Sequence, residues 1–139
     1  MQSGTPPKMA GKALRIPCTK QSFLKVWFDL LRPVHRLTPT EMKVAAAFVE
    51  HWYALRKTIS NEDQLNMILF SPKEKQKIYE EVGISYSHMR AAIIKLKQRG
   101  IIKNGRLNYQ YIPIKEEGAP YRLIFILDES EPVIRANNR

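Results

Sequence analysis

The sequence predicts a mainly α chain that ends in a β-hairpin, an α+β fold. Three observations lead there. Four segments before residue 100 open on helix-start residues and continue with apolar side chains at helical spacing. Gly83 and Gly100 stand where two of those segments stop, the place a left-handed helix cap favours glycine. Beyond Gly100 the apolar period shortens from about 3.6 toward 2, the change expected on passing from helix to strand.

The first helix is expected over 20–31, where Phe23, Trp27, Leu30 and Leu31 fall on one stripe before Pro33 ends it. Thr38-Pro39-Thr40-Glu41 then reads as a capping box with proline at the first helical position. The helix it starts runs to about Lys57, with Met42, Ala45, Ala46, Val49, Trp52 and Tyr53 as its buried stripe. A shorter helix is expected within Ile59 to Phe70, started by Asn61-Glu62-Asp63 and buried through Leu65, Ile68 and Leu69. Ser71-Pro72-Lys73-Glu74 repeats the capping-box pattern, and Gly83 stops that helix. Ser85 caps the next, which runs to about Arg99. Leu107, Tyr109 and Tyr111, then Tyr121, Leu123, Phe125 and Leu127, alternate with their neighbours as hairpin strands around a loop at Lys115–Pro120.

Length and composition fit one domain: 139 residues, 44% of them apolar. Residues 1–18 read as a flexible basic arm, 19–127 as the folded body and 128–139 as a polar tail. No apolar run approaches the ~20 residues of a membrane span, and none has the length of a secretory signal. A lone Cys18 forms no internal disulfide and fits a reducing, cytoplasmic setting. The net charge of +10 is uneven. Val82 to Lys115 holds seven Lys or Arg and no Asp or Glu, whereas residues 41–81 carry −1. An acid-free surface on a helix, tight turn and second helix suits a polyanion, and the expected partner is double-stranded DNA.

The order of these elements resembles a winged helix-turn-helix domain. In IYEEVGISYSHMRAAIIKLKQRGII, Gly83 takes the turn, and Ile78, Val82, Ile84, Met89, Ile93 and Leu96 take the positions that lock the two helices. The match covers about Thr38 to Leu127. Tyr79 departs from the pattern, which has a small residue four before the turn glycine. Its ring must either separate the two helices or tuck beside them. The layout is also similar to the N-terminal domain of phage and plasmid replication proteins, through Phe23-Leu24-Lys25 and the run Leu37 to Val44. That resemblance implies a regulator or replication-type factor of a phage or mobile element.

With Met89, Ile93 and Leu96 facing the core, the helix 85–99 offers its other face to DNA. A recognition helix sets its N-terminal residues against base edges, so Ser87, His88 and Arg90 are candidate base contacts. Arg90 suits bidentate pairing with guanine. Tyr86 and Lys95 are candidate phosphate contacts, as are Lys103 and Arg106 between helix and hairpin. Glu116 and Glu117 argue against a groove contact by the loop that holds them. If about five cations meet phosphate, affinity is expected to fall roughly 500-fold between 50 and 200 mM salt. A homodimer through the first helix, with Trp27 and Phe28, would supply a second half-site.

Catalysis is not expected. His35, His51 and His88 have no metal-ligand spacing, His51 reads as a helix-surface histidine, and Glu80-Glu81 as a solvated helix end. No phosphate loop or nucleophile elbow occurs, and no cofactor or small-molecule ligand is implied. The competing reading is a structural or assembly protein, virion-associated for example, that docks protein or binds nucleic acid without sequence preference.

Overall fold

The computed structural model describes residues 14–113. Helices α1 (Phe23–Leu30), α2 (Arg32–His35), α3 (Pro39–Arg56), α4 (Glu62–Leu69), α5 (Pro72–Val82) and α6 (Tyr86–Gln98) precede strands β1 (Ile102–Lys103) and β2 (Arg106–Leu107) and a 3-10 turn at Tyr109–Tyr111. The chain is thus mainly helical with a small antiparallel sheet, as the sequence predicts.

The capping signals act where they were expected. Thr38 and Glu41 exchange both bonds of a capping box. Asn61, Ser71 and Ser85 each accept from the backbone N–H three residues on. Glu74 departs from expectation. Its backbone N–H reaches Ser71, but its carboxylate turns away to His51 instead of closing a box. Gly83 and Gly100 both take positive φ. Behind them Ile84 N–H donates to Tyr79 O, and Ile101 N–H to Leu96 O, so orphan carbonyls at both helix ends are satisfied.

Helix α3 lies at the centre, packed against α1, α4, α5 and α6. Being covered from several directions, it buries Val44 and Phe48 as well as the expected Met42, Ala45 and Val49. Trp52 and Tyr53 are only half-buried. The stripe expected on α1 is also corrected. Leu24 and Phe28 are its buried residues, while Leu30 is exposed. Phe28 stacks on Tyr111 at 6.5 Å and 8° and lies 5.9 Å from the ring of His35. It is therefore interior and unavailable for the dimer seam the sequence suggested. His35, noted in the sequence only for lacking metal-ligand spacing, is fully buried: Leu37 N–H donates to Nδ1 (2.9 Å) and Nε2 donates to Phe28 O (2.8 Å). Pro33, expected to end the first helix, instead sits near the start of α2.

The hairpin is placed differently from the sequence expectation. Ile102 pairs with Leu107 and Lys103 with Arg106 across a two-residue turn, Asn104-Gly105. Both turn residues have positive φ, the requirement of a type I′ turn that favours Asn-Gly. Tyr109 and Tyr111 belong to the 3-10 turn, not to a strand, because Asn108 caps that turn by accepting from Gln110 N–H. Burial does not follow the expected alternation: Leu107 and Tyr111 point inward, while Tyr109, expected on the same face, is exposed. Trp27 Nε1–H donates to Tyr111 O (3.1 Å), tying the segment to α1. The loop at 115–120 and the strand at 121–127 lie outside the described residues, as do the arm through residue 13 and the tail.

Asn66 links α4 to the hairpin. It is buried, donates to Glu62 O (3.0 Å) and accepts from Leu107 N–H (3.2 Å). No described helix is long and apolar enough to cross a membrane.

Candidate nucleic-acid interface

Helix α6 is oriented by Met89, Ala92 and Leu96, which are buried, with Ile93 packed beside them. Ala92 is an inward residue the sequence reading missed. That orientation leaves Tyr86, Ser87, His88, Arg90, Ala91, Ile94, Lys97 and Gln98 exposed. Lys95 is half-buried at the edge of this face.

The N-terminal end of the face is organised by aromatic rings. Tyr79, on α5, meets Tyr86 edge-on, with ring centroids 6.0 Å apart at 70°. The bulky ring therefore tucks beside the helix pair, and its contact lies on the exposed side of the turn. Arg90 Cζ lies 5.9 Å from the centroid of the Tyr86 ring, within range of a cation–π contact. Among the described residues Arg90 makes no ion pair, so its guanidinium donors stay open. The same holds for Lys95, Lys97, Arg99 and Lys103. Lys97 and Arg99 are exposed cations the sequence reading did not single out.

Arg106 is in a different state. It sits on β2 opposite Lys103 on β1, within the hairpin and not in a linker before it. Its guanidinium bonds Asp63 and approaches Glu62 at 3.7 Å. Glu62 also receives the Tyr109 hydroxyl and lies 3.6 Å from Arg56. The hydrogen bond to Glu62 raises the pKa of Tyr109 above its ordinary value, and burial adds to this. An arginine expected to meet phosphate is thus engaged by carboxylates of α4.

Those carboxylates come from more than 40 residues away, and no local pattern announces the pairing. A second non-local cluster joins α3 to α5. His51, expected on the helix surface, is shielded between Glu74 (Nδ1 to Oε2, 2.6 Å) and Glu81 (Nε2 to carboxylate, 3.0 Å). Burial alone would lower the His51 pKa, but the hydrogen bonds to Glu74 and Glu81 outweigh it and raise the value above 6.5. Both ring nitrogens face carboxylates, so the imidazolium fits this site best. Glu81 is thereby a partner of α3, not simply a solvated helix end. No group of three His, Cys, Asp or Glu among the described residues is arranged to hold a metal ion.

The sequence-predicted residues therefore divide. Tyr86, Ser87, His88 and Arg90 share the exposed N-terminal half of α6; Lys95 borders it; Lys103 and Arg106 sit side by side on the hairpin, with Arg106 held by acids. Comparison of the chain with known protein families, curated proteins and solved structures returned no match.

Proposed function

We propose that this chain is a sequence-specific DNA-binding protein whose helix α6 enters the major groove, with α5 and α6 as a helix-turn-helix and the 102–107 hairpin as the start of a wing. One observation carries the reading. The exposed face of α6 and the β1 strand after it present Arg90, Lys97, Arg99 and Lys103 with no carboxylate partner among the described residues, while Arg106 and Lys25 are matched to acids. Unmatched cations along a helix that follows a tight Gly83-Ile84-Ser85 turn, and just after it, suit phosphate on either side of a groove. A regulator or replication-type factor of a phage or mobile element would use such a surface by occupying its site or recruiting a partner.

Docking to another protein is a second reading, supported by the exposed apolar side chains Tyr86 and Ile94 on the same helix. Selection from a random duplex pool separates the two. The DNA reading expects a recovered motif, and expects Arg90→Ala to relax one position of it. Recovery of no duplex above background at physiological salt would remove the DNA reading and leave the docking one.

A further inference from the structure

Tyr86, Arg90 and Ile94 lie at i, i+4 and i+8 of α6 and form one row along its exposed side. Each has a property that the fold itself does not require. Ile94 is 54% exposed and is not among the residues packed on the core, although a polar residue would serve at a solvated position. Arg90 lies against a ring yet has no acceptor among the described residues. Tyr86 is 61% exposed and is braced by Tyr79, so its ring is the fixed member of the row.

We infer that this row reads two base pairs about two steps apart: Tyr86 is a shelf that holds Arg90 toward the N7 and O6 of a guanine, and Ile94 covers the methyl group of a thymine. The inference rests on the DNA reading above and names its sequence preference. The occupant follows from charge. The row contains Arg90 and continues toward exposed Lys97, in a stretch with no Asp or Glu, and an anionic duplex matches that charge while offering thymine methyls on its major-groove edge. Spacing is consistent with this. Side chains four apart on a helix are about 6 Å apart at Cβ, close to two steps of about 3.4 Å along a strand. The preferred duplex therefore carries a thymine within about two base pairs of the guanine. Tyr86 acts through Arg90 and is a positioning residue. Its hydroxyl, expected from sequence to bond phosphate, is not what the row uses.

Duplexes selected by the intact protein provide the test, with single thymines replaced by deoxyuridine and single guanines by 7-deazaguanine. At one thymine, loss of the methyl is expected to weaken wild-type binding about fourfold, the effect of one buried methyl-sized group, and to leave Ile94→Ala indifferent. At one guanine, loss of N7 is expected to weaken wild type but not Arg90→Ala. Tyr86→Phe should bind within about twofold of wild type, while Tyr86→Ala should approach Arg90→Ala. Equal affinity for thymine and deoxyuridine probes at every position overturns the inference and leaves the DNA reading intact. A Tyr86→Phe loss as large as that of Tyr86→Ala does the same, whereas binding without any recovered motif overturns the inference and the sequence-specific reading together. Absence of duplex binding altogether overturns both.

Discussion

His51 is 13% exposed, between a Glu74 carboxylate that is 12% exposed and a Glu81 carboxylate that is 58% exposed. Replacing it with glutamine keeps a hydrogen-bond donor and removes the charge. The shielded Glu74 contact should then lose about 1 kcal/mol, the difference between a charge-assisted and a neutral hydrogen bond. The exposed Glu81 contact should lose at most about 1 kcal/mol, because solvent screens it. Lys77, 3.6 Å from Glu74, offsets part of the charge left behind. A total of about 2 kcal/mol corresponds to a melting temperature lower by about 8 °C for a chain of this size. The folded pKa of His51 is raised above 6.5. Its contribution is therefore complete below about pH 6.5 and is lost as pH rises through the folded value. Thermal unfolding of wild type and His51→Gln, followed by circular dichroism at pH 6 and pH 9, measures both parts. A gap between the two proteins that is wide at pH 6 and narrow at pH 9 is expected. A gap of the same size at both pH values would refute the assignment of a charged imidazole to this site.

Two further outcomes follow from the hairpin's attachments. Asn66→Ala leaves the buried Leu107 N–H without its acceptor, which should cost about 1–3 kcal/mol and speed hydrogen exchange at that amide; unchanged exchange would contradict the bond seen at 3.2 Å. Asp63→Asn removes a carboxylate from Arg106, and the exposed pair should contribute under about 1 kcal/mol to stability. If the hairpin lies near phosphate, that variant should bind duplex more tightly and steepen the salt slope by up to about one; a weaker-binding variant would mean that Asp63 positions Arg106 instead of occupying it.

What was legible in the sequence was local. Thr38, Asn61, Ser71 and Ser85 announce helix starts because a cap works within three residues. Gly83 and Gly100 announce stops because few other residues take positive φ easily. These signals place α3 to α6 correctly to within a few residues. Burial was legible only where a helix has one covered face. For α3, surrounded by four helices, a single stripe omits Val44 and Phe48. Asn104-Gly105 is the residue pair a type I′ turn favours, a signal the sequence reading passed over. Features built from distant residues left no sequence trace. The His51 clamp draws on Glu74 and Glu81, and the cage around Arg106 on Glu62 and Asp63, and in neither case does spacing along the chain reveal the meeting. Within the candidate site, exposure of Tyr86, Ser87, His88 and Arg90 followed from the helical period. The contact of Arg90 with Tyr86, and of Tyr86 with Tyr79, did not.

The acid-free stretch through α6 and β1 is proposed to meet the phosphates of a duplex. The most direct test is the dissociation constant of the full chain for a duplex of its selected motif, titrated from 50 to 200 mM salt. With about five cations at phosphate, among them Lys97, Arg99 and Lys103, log affinity should fall with a slope near −4.5 against log salt, a loss of about 500-fold across that range. Replacing Lys97 and Arg99 by glutamine should make the slope shallower by about two. A slope near zero, or one that those substitutions leave unchanged, would contradict the account.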